Sequence, residues 1–227
     1  MVKIAEIFTS TQGEGRNAGA AAIFIRLSGC NLKCPFCDTD HSGDAMKEQE
    51  VANLVMDLRK DADINLVIFT GGEPSLQLDS MKSIIEYMRA KGYEGTFAVE
   101  SNGTCPPRRF REIGVEFVTI SPKVLWVDNK AASQCMDTWV DASEIKCLYD
   151  TTKDEEELRL FLNSIANAVE NDSREGSIKP FLYLQPITDH NDSAMTDKNI
   201  QAVLTYITRV DSRWKISMQL QNIWKVR

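Results

Sequence analysis

Residues 26–39 read RLSGCNLKCPFCDT, and three thiols fall within eight positions: Cys30, Cys34 and Cys37, spaced C-x3-C-x2-C. Such tight spacing lets several thiolates converge on one metal or cluster, each losing its proton on binding. A disulfide consumes cysteines in pairs, and a structural zinc site takes four ligands as a rule. Iron–sulfur clusters are also normally held by four thiolates, so three on a cubane would leave one iron open to a small molecule. The remaining cysteines, Cys105, Cys135 and Cys147, are scattered without a paired C-x2-C spacing. They read as small hydrophobes, and recruitment of one of them as a fourth zinc ligand is the competing arrangement.

Positioning such a cluster requires a scaffold, and its outline is legible. Short β-branched or aromatic runs at 21–27, 65–70, 96–100, 115–120, 143–149, 181–185 and 214–220 are strand candidates, mostly bounded by Gly, Pro or Asp. Between them, four apolar stripes keep i, i+3, i+4, i+7 spacing: Val51–Leu54–Val55–Leu58, Met81–Ile84–Ile85–Met88, Leu158–Phe161–Leu162–Ile165 and Ile200–Val203–Leu204–Ile207. These are expected to be core-facing helix surfaces. Residues 41–50 lead into the first helix, and 170–180 read as a solvated loop. Strand alternating with helix means a mostly parallel α/β sheet. Periodicity alone does not choose between a closed barrel, a partial barrel and an open sheet. In each of them chemistry gathers at the C-terminal ends of strands, and the unusual residues follow strands: the three cysteines, then GGEP, SNG and SPK.

Composition sets outer bounds. A chain of 227 residues, 43% hydrophobic and 26% charged, suits one globular domain over 1–227 with a sizeable core. The net charge of −7 argues against a general nucleic-acid binder, which needs a basic stripe. No apolar stretch reaches the ~18–20 residues of a bilayer span, and MVKIAEIFTS lacks the features of a signal peptide. Cytoplasmic residence is the expectation, with thiols reduced and free for metal.

The C-x3-C-x2-C loop after the first strand, followed by GGEP after a later one, resembles the radical S-adenosylmethionine superfamily. The resemblance implies a partial (β/α) barrel and a [4Fe–4S] cluster on Cys30, Cys34 and Cys37. S-adenosylmethionine would then chelate the open iron and be cleaved to a radical. It also implies that Gly71, Gly72 and Glu73 bind the methionine amino end, although TGGEP alone is equally a strand-terminating turn. Phe36 and Asp38 flank Cys37 and join the cofactor candidates. The wider stretch EIFTSTQGEGRNAGAAAIFIRLSGCNLKCPFCDT, with FTGGEPSLQ, VESNGT, TISPK, EIK and LQPI, resembles the 7-carboxy-7-deazaguanine synthase family, with weaker agreement between 124 and 180. That family turns 6-carboxy-5,6,7,8-tetrahydropterin into 7-carboxy-7-deazaguanine with loss of ammonia, a step toward queuosine-type nucleosides. A homodimer and a flavodoxin-type electron donor are further implications.

The matching residues make physical sense for such a substrate. Glu14 can accept two hydrogen bonds from an amino-pyrimidinone edge, and Gln12 offers both a donor and an acceptor. Gly13 and Gly15 would let backbone approach a flat ring, the plain alternative being a flexible turn. Arg26 presents a planar fork suited to a carboxylate, unless it forms a surface ion pair. Thr39 matches the family's Mg²⁺ position, where one hydroxyl suffices, although Asp38-Thr39-Asp40 could simply cap a turn. Glu100 and Asn102, then Ser121 and Lys123, sit at successive strand ends as cofactor contacts. Gln185 is a cofactor contact through its backbone, Gly72 also faces substrate, and Lys146 is a further substrate candidate. One departure stands out: Gln221 occupies the place where relatives carry a histidine, and glutamine moves no proton near neutral pH. The competing functions are a glycyl-radical activating enzyme, which would need an open protein-docking surface, and a non-catalytic iron–sulfur or zinc protein.

Overall fold

The computed structural model describes residues 1–37, 39–40, 42–188 and 192–224. Asp38 and both histidines, His41 and His190, lie outside the described residues. Nine strands form one sheet: β1 (Val2–Thr11), β2 (Ala21–Leu27), β3 (Asp44–Met46), β4 (Leu66–Gly71), β5 (Thr96–Ser101), β6 (Phe117–Ile120), β7 (Glu144–Tyr149), β8 (Phe181–Pro186) and β9 (Lys215–Ile216). Their order is β3-β1-β2-β4-β5-β6-β7-β8-β9. From β2 to β9 every neighbouring pair is parallel. Only β1 runs antiparallel, against β2 and β3. The mostly parallel α/β sheet is therefore as expected, and it stays open, with β3 and β9 as its edges.

The crossovers carry helices α1 (Glu48–Ala62), α2 (Leu78–Ala90), α3 (Pro107–Arg111), α4 (Glu155–Asn171) and α5 (Ser193–Arg209), and α6 (Leu220–Trp224) follows β9. The two longest, α4 and α5, start on side-chain caps: Asp154 accepts the Glu157 N–H at 2.8 Å and Asp192 that of Met195 at 2.9 Å. The stripes of α2 and α4 are buried as the spacing predicts. Those of α1 and α5 are rotated. In α1, Ala52 is buried while Leu54 is 40% exposed. In α5, Asn199 and Tyr206 turn inward and Leu204 turns out. The cause in α5 is polar: Asn199 accepts from the Thr151 N–H at 2.9 Å and donates to the Ile187 carbonyl at 2.9 Å, so it must point at the sheet.

Strand alternation splits each parallel strand between two faces. Ile23, Ile25, Val67, Phe69, Phe97, Val99, Val118, Ile145, Cys147 and Leu184 enter the main core with the helices. On the opposite, concave face the early positions Ala22, Phe24, Ile68 and Ala98 pack with Phe8, Leu66 and Phe117 into a small apolar floor. Beyond that floor the same alternation presents Arg26, Thr70, Glu100 and Thr119 toward the C-terminal ends of their strands, and Glu144 and Lys146 along β7. The sheet thus has an oily base and a polar rim. Truncation of Phe97, wholly buried between Phe69 and Tyr93, is expected to cost about 3–5 kcal/mol, seen as a lowered denaturation midpoint for Phe97→Ala with an unchanged denaturant slope.

Candidate functional site

The cysteine loop leaves β2 and is fastened to two neighbouring strand ends. Gly72 N–H reaches the Leu27 carbonyl at 3.0 Å and Glu73 N–H that of Gly29 at 2.8 Å. Asn102 donates to Asn31 Oδ1 at 2.9 Å, and Asn31 to Thr104 at 2.9 Å. Cys30, Cys34 and Cys37 are thereby held close enough to feel one another's charge, and burial raises the pKa of Cys30 and Cys34. A cavity of about 880 Å³ opens in front of them, also lined by Phe36, Asn102, Ser121, Lys123 and Gln185. Three thiols lining one cavity fit a cluster with one open iron. Among the described residues no three His, Cys, Asp or Glu side chains converge tightly enough for a single metal ion. Cys147 lies in the core and Cys135 bonds the Thr104 carbonyl at 3.4 Å, so neither of these two thiols is offered as a fourth zinc ligand.

Across the strand ends runs a ladder of polar side chains. Arg26 is in register with Thr70, Glu100 with Thr119, and Thr119 with Glu144. Thr70 Oγ1 donates to Glu100 at 2.7 Å, and Thr119 Oγ1 to Glu144 at 2.9 Å. Over one end of this ladder folds the QGEG turn. Glu14 meets Lys146 in a buried ion pair. Its Oε1 also accepts from Gln221 at 2.8 Å, Gln219 at 3.2 Å and Gln185 at 3.5 Å. Burial pushes the Glu14 carboxyl up, but the Lys146 ammonium and the amide donors outweigh it, so its pKa ends below the ordinary value. Burial likewise pulls Lys146 down, and the fields of Glu14, Glu100 and Glu144 win, raising it. Lys123, hemmed in beside Lys146 and bonded to Ser121 Oγ at 2.6 Å, is lowered by desolvation.

A second cavity of about 500 Å³ adjoins the first and is lined by Gln12, Gly13, Glu14, Arg26, Gln221 and neighbouring residues. Glu14, Thr39, Thr70, Gly71, Glu100 and Gln219 line both. Each volume lies within the range of small-molecule sites, about 300–1,000 Å³.

The expected site residues are brought together with some changes of role. Glu73 is 0% exposed, and its carboxylate is occupied by Ser75 N–H at 3.0 Å, Ser101 Oγ at 2.9 Å and Asn102 N–H at 2.8 Å. It braces the strand ends rather than lining either cavity. Gly13 and Gly15 make room for the protein itself. A Cβ on Gly13 would lie 1.9 Å from Gln221 Oε1; one on Gly15, where φ is +64°, would lie 2.2 Å from Glu144 Oε1. Arg26 Nε is paired with Glu6 at 2.7 Å, yet the residue still lines the smaller cavity. Gln185 contributes its side chain. Thr70, Glu144 and Gln219 were not singled out by the motifs, although Glu144 and Lys146 carry a signal: two charges at i, i+2 in an otherwise apolar strand share one face.

Residues 24–126 match the family model of the Radical SAM superfamily. The chain is similar to proteins named 7-carboxy-7-deazaguanine synthase. That of Bacteroides thetaiotaomicron is 44% identical over 124 residues, covering 54% of this chain and 62% of the relative. That of Hyperthermus butylicus is 37% identical over 144 residues, covering 62% of this chain and 60% of the relative. The matches thus span less than two thirds of those relatives' own length. The crystal structure of QueE from Escherichia coli shares the fold, with a TM-score of 0.64 at 23% identity over 96% of this chain and 93% of that one.

Lys146→Met would strand the Glu14 carboxylate without its cation and is expected to cost about 3–5 kcal/mol, read from the urea midpoint. Combining it with Glu14→Gln should recover most of that loss. Because the folded pKa of Glu14 is depressed, its stabilisation is present above the unfolded pKa and disappears as pH falls through the folded one. The double variant should therefore lose less stability on acidification than the wild type.

Proposed function

We propose that this chain is a radical S-adenosylmethionine lyase that makes 7-carboxy-7-deazaguanine from 6-carboxy-5,6,7,8-tetrahydropterin by ring contraction with loss of ammonia. The observation that carries this reading is the junction of the two cavities along Glu14, Thr70, Gly71 and Glu100. A cofactor before the cysteines and a substrate against the QGEG turn would abut along that line. When bound, the [4Fe–4S] cluster with S-adenosylmethionine supplies a hydrogen-abstracting carbon radical. Cys30, Cys34 and Cys37 would hold the cluster, while Phe36, Gly71, Gly72, Asn102, Ser121, Lys123 and Gln185 wall the cofactor's cavity. Glu14, already oriented by Lys146, accepts N–H groups of the pterin's amino-pyrimidinone edge, and Gln12 adds a donor and an acceptor. Arg26 faces the same cavity and takes the carboxylate. Thr39 lines both cavities, so its hydroxyl can share a Mg²⁺ with substrate oxygens.

Fixing the two reactants side by side is the protein's main contribution to rate. A glycyl-radical activating enzyme would need to admit a polypeptide. The polar, concave wall of the smaller cavity favours a small, flat, hydrogen-bonding molecule instead. The reading extends to one catalytic domain over 1–227, working as a homodimer with a flavodoxin-type electron donor in the cytoplasm. No described helix is long and apolar enough to cross a membrane.

Anaerobically reconstituted protein given carboxy-tetrahydropterin, S-adenosylmethionine and a strong reductant is expected to develop the deazapurine chromophore and release ammonia. Cleavage of S-adenosylmethionine without that chromophore would remove the assigned substrate. Gln221→His is expected to change kcat/KM by about threefold at most, because one hydrogen bond to Glu14 replaces another. A large gain would show that proton transfer, not positioning, is what this position lacks.

A further inference from the structure

Glu144 has no place among the groups that would touch cofactor or substrate, yet it is a charged residue only 3% exposed. It does not line either cavity. Its two oxygens are used separately: Oε1 accepts from Thr119 Oγ1 at 2.9 Å, and Oε2 accepts the backbone N–H of Arg16 at 2.9 Å. Arg16 belongs to the turn that carries Glu14. Two residues along the same face of β7, Lys146 grips the Glu14 side chain. The turn is thus held at positions 14 and 16 by strand positions 146 and 144, with matched spacing. Phe181, the ladder partner of Glu144 on β8, lies beneath the Arg16 guanidinium at 4.4 Å from the ring centre. Gly15 N–H is taken by Ser217 Oγ at 2.9 Å. One contact would fix where Glu14 sits; two, separated along a rigid strand, also fix which way its carboxylate points.

We propose that Glu144 is a positioning residue of the recognition turn: by capping the Arg16 amide from beneath Gly15 it sets the orientation of Glu14 toward a pterin-type ligand. This rests on the substrate class proposed above. The absence of a side chain on Gly15 follows from it, since a Cβ there would collide with Glu144 Oε1. Glutamine can replace the carboxylate in this geometry. Its amide oxygen accepts the Arg16 N–H, and its NH2 donates to Thr119, whose hydroxyl turns to accept. Alanine can do neither.

The test compares Glu144→Gln and Glu144→Ala in reconstituted protein by three measurements. These are binding of the unreactive probe 6-carboxypterin by fluorescence, binding of S-adenosylmethionine by calorimetry, and amide hydrogen exchange over residues 14–16. Glu144→Ala is expected to weaken 6-carboxypterin by about tenfold or more, the worth of one to two hydrogen bonds. It should speed exchange at Arg16 and leave S-adenosylmethionine affinity within about twofold. Glu144→Gln should stay close to wild type in all three. Gly15→Ala, which pushes Glu144 away without removing it, should reproduce the alanine pattern and serves if Glu144→Ala does not fold.

Unchanged probe binding and exchange in Glu144→Ala would overturn the proposal. So would an equal loss of S-adenosylmethionine affinity, which marks general collapse, or a glutamine variant as impaired as alanine. Should the wild type fail to bind 6-carboxypterin, the substrate reading falls, and the exchange comparison alone decides the role of Glu144.

Discussion

The site depends on a charge that has been taken out of water. Lys146 is buried and Glu14 largely so, and each lowers the cost of the other's charge. Their attraction pins the QGEG turn to β7, and everything around it serves to keep that pair satisfied. Three glutamine amides point at Oε1 of Glu14, leaving Oε2 to Lys146. Glu100 and Glu144 add negative potential around Lys146. The result is a carboxylate that stays charged at the meeting point of two cavities, with its direction fixed before any ligand arrives. Such preorganisation is what makes a hydrogen-bonding site selective, because a ligand lacking the right donors leaves those groups unpaired.

The same sheet supplies both hydrophobic stability and this polarity through alternation alone. Helix-facing positions form a continuous core, while opposite positions change from an apolar floor to a polar rim as each strand approaches its C-terminal end. Arg26, Thr70, Glu100, Thr119 and Glu144 lie in successive rungs. The rim is thus a property of register: a one-residue slip of any strand would send its polar member into the core.

Much of this was legible in sequence because cysteine spacing and strand-end motifs are local. Six of the seven strand candidates match observed strands within a residue or two; the last shrinks to Lys215–Ile216. There the chain leaves the sheet edge to bring Gln219 and Gln221 to Glu14. The first strand, Val2–Thr11, escaped notice because a bulge between Ile4 and Glu6 breaks its alternation. Helical stripes in α1 and α5 were offset because apolar spacing is blind to a buried asparagine such as Asn199. The roles of Gly13, Gly15, Glu73 and Glu144 were not legible for a common reason. Each is defined by a partner distant in sequence, and no local pattern reports what a side chain will meet across the fold.

The contact between Glu14 and Gln221 joins residues 207 positions apart. The strands that precede β9 lack the wall that Gln219 and Gln221 supply to Glu14. The pocket is therefore walled by residues that lie late in the sequence relative to the turn they enclose. Proteolytic nicking near the loop after β9 would unmake the wall while leaving the hydrophobic core intact. Completeness of the pocket is thus a matter of long-range closure, settled where residues 219 and 221 reach back to residue 14.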